Sequence, residues 1–266
     1  MQSVISTFSD RYRIHPADPD LAQLKQIGAA FSHLPYENVT KILKEARSSN
    51  IHQKLRKTDE VLSDHLNWNT GGTCFSLCNA LLSVLKNSGF EAFIAMADMH
   101  HGANIHCVVV VVLPEGRFVL DPGYLLHIPI KLPDSDFEQV TKTSMNTVVL
   151  QNEGNENFSL FTIEHSQRKW RYRVRACPVT IEEFETHWIH SFSLNSMEHL
   201  MMTRLDNHGR LYFRKNHLEH VNESERTILT KPEASELSGL FGVPADLISS
   251  ARNILLARPH KAAVLS

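Results

Sequence analysis

Thr70-Gly71-Gly72-Thr73-Cys74-Phe75 is followed downstream by Asn104-Ile105-His106 and by Phe118-Val119-Leu120-Asp121-Pro122-Gly123. These place a cysteine, a histidine and an aspartate in the order Cys74, His106, Asp121. An imidazole that takes the thiol proton, oriented in turn by a carboxylate, is the arrangement that activates a thiolate nucleophile. Acyl transfer through Cys74 is the chemistry this set would support. Cys78, on the same stretch but without a glycine approach, reads as a buried helix residue.

The elements around these residues must then position them. From Cys74 onward, Leu77, Leu81, Val84 and Leu85 recur at helical spacing, with Gly89 as the stop. The pattern predicts a helix over Cys74 to Asn87 with Thr73 as its N-cap. Cys74 then sits in the first turn, where the helix dipole and unpaired N–H groups favour a thiolate and could stabilise an oxyanion. Gly71 and Gly72 let the chain turn sharply and leave room for a substrate. His106 opens the apolar run Cys107 to Leu113, and Leu113-Pro114-Glu115-Gly116 suits a tight turn. That turn pairs Leu113 with Gly116 and Val108 with Asp121. His106 and Asp121 are then diagonal neighbours on one face, whereas a slip of one residue would separate them.

With these motifs in place, the chain resembles the arylamine N-acetyltransferases of the papain- and transglutaminase-like cysteine enzymes, over nearly its whole length. His33-Leu34-Pro35-Tyr36-Glu37-Asn38-Val39 is similar to the family's Pro-Phe-Glu-Asn-Leu motif, and Thr70 to Cys74 to its Arg-Gly-Gly-x-Cys motif. His106 and Asp121 match its other two catalytic residues. Asp121-Pro122-Gly123-Tyr124 is similar to its Asp-x-Gly-Phe loop. Asn195 to Leu205 with Asn207-His208-Gly209-Arg210 is similar to the segment entering its third domain. The resemblance implies an acetyl-CoA-dependent enzyme that forms an acetyl-Cys74 intermediate and passes the acetyl group to an arylamine, hydrazine or related amine. It also implies that Tyr36, Phe75 and Tyr124 shape the acceptor site. The backbone of the loop Gly102, Ala103 and Asn104 would contact the coenzyme.

Two departures stand beside the matches: Thr70 replaces the family's arginine and Ser76 its glutamate. Glu37, the expected partner of that arginine, must therefore find another donor or stay exposed, because burying a lone charge is costly. Three rivals stay open. One is an amide synthase of the same fold acting on a carrier-bound acyl chain. The second is a hydrolase or peptidase of the wider superfamily, and the third a non-catalytic binding protein that retains the fold, which the two departures keep open.

Composition narrows the classes. Net charge is −2 in 266 residues, which offers no basic field for nucleic acid or an anionic membrane. The strand-like Arg168 to Arg173 alternates charged and aromatic residues, as a strand with one solvated face would. No run reaches the ~20 apolar residues that span a bilayer, and Met1 to Ser6 lacks a secretory signal. Four cysteines are too few for a disulfide framework, so the cytoplasm is the expected compartment. Asp98, His100, His101 and His106 lie close in sequence but without a zinc-binding spacing, so no metal is expected. Arg214 and Lys215 are read as solvated surface.

The predicted class is α+β. A helical N-terminal domain (1–89) carries the nucleophile, with helices over Asp20 to Phe31 and Tyr36 to Ala46 before the one at Cys74. A β-barrel-like antiparallel domain (90–178) carries His106 and Asp121. A linking helix, Thr180 to Phe192, leads into a C-terminal α/β lid (179–266) with a hairpin across Asn207-His208-Gly209 and helices over Ala234 to Phe241 and Pro244 to Asn253.

Overall fold

A computed structural model of the chain describes residues 2–134, 137–144, 146–164, 166–206, 209–221 and 226–258. The N-terminal helices are α1 (Val4–Arg11), α2 (Leu21–Phe31), α3 (Val39–Arg47), α4 (Thr58–Trp68) and α5 (Cys74–Asn87). Strand β1 (Tyr36–Glu37) interrupts them. Strands β2 (Glu91–Met99), β3 (Gly102–Leu113), β4 (Gly116–Asp121), β5 (Leu126–Lys131) and β6 (Glu138–Lys142) follow, then β7 (Thr147–Gly154), β8 (Asn157–Glu164) and β9 (Gln167–Arg175). After α6 (Ile181–His190) come β10 (Met201–Asp206), β11 (Gly209–Arg214), β12 (His217–Val221) and β13 (Arg226–Thr230). Helices α7 (Ala234–Phe241) and α8 (Ala245–Ala257) close the described chain.

Strands β2 to β9 form an antiparallel sheet in the order β5-β4-β3-β2-β9-β8-β7-β6. Its end strands β5 and β6 meet, so it curls into a nearly closed barrel. Val108, Val110, Val119, Leu160, Tyr172 and Val174 fill the interior. The outward Cys107, Val109 and Val111 pack with Leu77, Leu81 and Val84 of α5. Both faces of β3 are therefore covered, which is why its sequence is a continuous apolar run rather than an alternation. A third cluster joins α3 to the C-terminal sheet and to α7 and α8 through Val39, Ile42, Met202, Phe213, Leu237 and Ile248. The architecture is the expected α+β arrangement of helices, barrel-like sheet and C-terminal lid.

Several local expectations need correction. Tyr36 and Glu37 are not helical. They pair with Thr203 and Met202 of β10, so the first strand of the C-terminal sheet comes from the N-terminal part of the chain. Helices α1 and α4 and strands β5, β6, β12 and β13 form without having been anticipated. The hairpin expected near residue 208 exists as β10 paired with β11, while Asn207 and His208 lie outside the described residues. Gly102 to Asn104 belong to β3 rather than to a loop. Among the described residues no helix is long and apolar enough to cross a membrane.

Candidate active site

Helix α5 begins at Cys74 with Thr73 as N-cap. The Thr73 side chain makes no capping bond, contrary to expectation. Ser76 Oγ instead donates to the Thr73 carbonyl at 3.0 Å. Among the described residues no side chain caps this first turn, which leaves its N–H groups for a ligand beside the sulfur.

The hairpin register is the predicted one: Leu113 opposes Gly116 and Val109 opposes Leu120. His106 and Asp121 share the interior face, and His106 Nε2 donates to Asp121 Oδ2 at 2.7 Å. That bond leaves Nδ1 as the ring nitrogen for Cys74, which is hydrogen-bonded to His106. Asp121 is fully buried, and its Oδ1 accepts the Tyr124 N–H at 2.9 Å. Against burial, which pushes it down, the Asp121 carboxylate and the Cys74 sulfur hold the His106 pKa well above the usual imidazole value. The Cys74 thiol is pulled well below its ordinary pKa, first by a hydrogen bond from Cys107 and, against burial, by His106 and the field of Lys41. A thiolate–imidazolium pair is the state these shifts favour. Burial pushes the Cys78 thiol up, and its sulfur donates to the Cys107 carbonyl at 3.3 Å.

Gly123 closes the site from the other side. A Cβ there would lie 2.6 Å from Cys74 Cβ and 3.2 Å from His106 Cε1. Gly123→Ala is therefore expected to push Cys74 and His106 apart and slow any acylation of Cys74 by about a hundredfold. Single-turnover kinetics on the folded variant would check this, and an unchanged rate would contradict it.

The loop before Cys74 is held by residues that sequence reading missed. The Arg56 guanidinium, 3 % exposed, donates to the Gly71 carbonyl at 2.7 Å and to Thr40 Oγ1 at 2.6 Å. Thr40 Oγ1 donates to Glu37 Oε1 at 2.5 Å, and Arg56 pairs with Asp64 at 2.7 Å. Arg56 stands 3.8 Å from Glu37 itself. The donor that Glu37 required thus comes from residue 56 and not from residue 70, where the Thr70 hydroxyl is buried with no partner among the described residues. The neighbouring Asn38 ties the C-terminal segment, through Nδ2 to the Ser196 and His199 carbonyls and Oδ1 to the Met201 N–H.

His65 holds the Thr70 carbonyl through Nδ1 at 2.9 Å and accepts the Tyr12 hydroxyl on Nε2 at 2.5 Å. The bond from Tyr12 needs the neutral ring, and burial, against the Thr70 bond that favours the charged form, pushes its pKa down to about 4. An unfolded imidazole titrates near 6.5, so this stabilisation is full above about pH 6.5 and drains away as pH falls towards 4. It amounts to on the order of 3 kcal/mol. The urea midpoint should fall across that window, and fall less in His65→Gln; equal pH dependence would contradict the assignment.

A cavity of about 40 Å³ opens at Cys74, bounded among others by Tyr36, Lys41, Phe75 and Met201. Phe75 reaches it from the core, where its ring packs 5.5 Å from Phe184. Tyr124 lies beside Asp121 with its ring edge-on to Tyr172 at 6.0 Å. Tyr172, unanticipated from sequence, also packs 5.0 Å from the His106 ring. A larger cavity of about 690 Å³ is lined by His33, Leu125 to Ile130 and Arg204, and none of Cys74, His106 and Asp121 lines it.

Gly102 to Asn104 start β3 at the hairpin with β2, and the Asn104 N–H is committed to Asp98 Oδ1 at 2.9 Å. The histidines near them disperse. His100 packs edge-on to Trp170 at 4.5 Å, while His106 is in the site. Among the described residues no group of three His, Cys, Asp or Glu side chains could hold a metal ion.

A family described as N-acetyltransferase matches residues 20–245. No curated protein matches by sequence. Among solved structures, arylamine N-acetyltransferase from Mycobacterium marinum in complex with CoA has a TM-score of 0.77 at 17% identity, covering 94% of this chain and 96% of that one. The Salmonella typhimurium enzyme gives 0.76 at 18%, covering 97% and 100%. An arylamine N-acetyltransferase from Bacillus cereus, described as having a Cys-His-Glu triad, gives 0.72 at 18%, covering 91% and 99%. At these identities the structures establish the shared fold, and the match over residues 20–245 establishes the lineage: the chain belongs to the arylamine N-acetyltransferase family.

Proposed function

We propose that this protein moves an acetyl group from acetyl-CoA to an arylamine, hydrazine or related small amine, with Cys74 as nucleophile, His106 as base and Asp121 as its orienting carboxylate. The observation that carries the reading is the buried line from Cys74 through His106 to Asp121 at the start of α5, set in a chain of this family.

The Cys74 thiolate attacks the thioester carbonyl. First-turn N–H groups of α5 receive the oxyanion. The carbon–sulfur bond to the coenzyme then breaks, and the coenzyme thiolate leaves with the proton that His106 held. In the second half the amine attacks the acetyl-Cys74 carbonyl. His106 takes the amine proton through Nδ1, and the Cys74 thiolate is released as the amide departs. Asp121 keeps Nε2–H engaged throughout, so Nδ1 stays the working nitrogen.

Tyr36, Phe75 and Tyr124 supply the aromatic surface for the acceptor, with Phe75 forming a floor fixed by the core. Gly102 and Ala103 offer backbone to the coenzyme pyrophosphate, whereas Asn104 contributes its position and not its committed N–H. The test is steady-state kinetics with acetyl-CoA and an arylamine. Parallel double-reciprocal lines and loss of turnover in Cys74→Ser but not Cys78→Ser are expected. Intersecting lines, or equal loss in both variants, would refute the scheme.

A further inference from the structure

The cavity at Cys74 contains a buried cation without a paired carboxylate. Lys41 lies on the inner face of α3 and is 6 % exposed. Its ammonium donates to the Ser191 carbonyl at 3.1 Å and to Ser191 Oγ at 2.6 Å, and stands 4.3 Å from the Phe192 ring centroid. All three partners are neutral. Among the described residues no carboxylate pairs with it. The field of Glu45 reaches it, but Glu45 is already paired with Lys54 at 3.4 Å and Arg258 at 2.7 Å. Burying an ammonium costs several kcal/mol, more than a well-packed apolar side chain would, and the neighbours Val39, Ile42 and Leu43 are apolar. A merely structural lysine here would be an expensive substitute for another such residue.

Lys41 and Cys74 line the same cavity, with Thr73, Phe75 and Ile105. Its volume of about 40 Å³ holds about three water-sized groups at roughly 10–15 Å³ each. The methyl of an acetyl group would fill only part of it. In the free enzyme the Cys74 thiolate supplies negative charge near Lys41. Acylation removes that charge, because a thioester sulfur is neutral. An acyl group with its own terminal carboxylate would put the charge back.

We propose that Lys41 is a specificity-determining residue that lets Cys74 accept short acyl groups ending in a carboxylate, of the malonyl class, from coenzyme A thioesters as well as acetyl. The inference rests on the acyl-transfer reading of Cys74. The step is the same one. Sulfur bonds to the thioester carbonyl carbon, the bond to the coenzyme sulfur breaks, and the coenzyme leaves with the His106 proton. The distal carboxylate stays ionised against Lys41 and changes no bond.

The test is the time course of intact mass of the full chain with malonyl-CoA or acetyl-CoA and no amine, for wild type and Lys41→Met. Wild type should take a single malonyl adduct on Cys74 at one-tenth of the acetyl rate or faster. Lys41→Met should lower the malonyl-to-acetyl ratio at least about tenfold, the scale of a lost charged hydrogen bond. Slower malonyl uptake in wild type, or a ratio that falls by less in the variant, overturns the proposal. The wild-type comparison decides it alone should Lys41→Met fail to fold. If neither thioester acylates a Cys74 that iodoacetamide alkylates, the acyl-CoA reading itself falls, an outcome distinct from failure of selectivity alone.

Discussion

Asp121→Asn is expected to slow acylation of Cys74 by on the order of 10⁴-fold, the scale seen when the orienting carboxylate of such a triad is made an amide. The reason is geometric before it is electrostatic. Asp121 Oδ2 accepts His106 Nε2–H at 2.7 Å, which fixes Nδ1 as the nitrogen that faces Cys74. An amide in that place can turn its NH₂ toward Nε2. The ring proton then moves to Nδ1, and the base can no longer take the thiol proton. The variant also removes the charge that raises the His106 pKa, so fewer molecules hold the thiolate–imidazolium pair. The fold should survive, because the Tyr124 N–H that Oδ1 now accepts can be taken by the amide oxygen of one rotamer. Single-turnover acylation and the pH dependence of iodoacetamide alkylation are the readouts. A rate within tenfold of wild type would remove Asp121 from the mechanism.

Arg56→Met should destabilise the protein by about 3–5 kcal/mol, the usual cost of removing one member of a buried charge cluster. It would leave Glu37, which is fully buried, without its cation, and would free the Gly71 carbonyl. Thr40 Oγ1 would still donate to Glu37 Oε1, but its own acceptor side would lose the Arg56 donor. Glu37→Gln in the same chain should recover part of the loss, because it removes the stranded charge. Urea unfolding of the single and double variants is the measurement. A loss below about 1 kcal/mol, or additive effects of the two changes, would mean that Arg56 is not the counter-ion of Glu37.

What could be read in the sequence was whatever local rules determine. Helix α5 runs from Cys74 to Asn87, as its apolar spacing and Gly89 require. The His106–Asp121 contact follows from the tight turn at Pro114-Glu115, which sets the register. What escaped was set by partners distant in the chain. Tyr36 and Glu37 continue a helical pattern, but an edge of the C-terminal sheet takes their backbone. Arg56 carries no motif, and only the folded chain brings it to Glu37 and Gly71. The one signal available was that Glu37 needed a donor once residue 70 was threonine. Lys41 could have been noticed as a lone charge among the buried positions Val39, Ile42 and Leu43 of α3. Cys107 could not, since a cysteine beside apolar strand residues looks like packing. Strand β12 buries only Leu218 and β13 is exposed at every position, so alternation does not mark them.

The central claim is that Cys74 carries the acyl group. Intact-protein mass after incubation with acetyl-CoA in the absence of amine, for wild type and Cys74→Ser, tests it most directly. One acetyl adduct in wild type, absent from Cys74→Ser and discharged by an added arylamine or hydrazine, is the predicted result. An adduct that persists in Cys74→Ser, or no adduct on a wild-type thiol that still reacts with iodoacetamide, would contradict it.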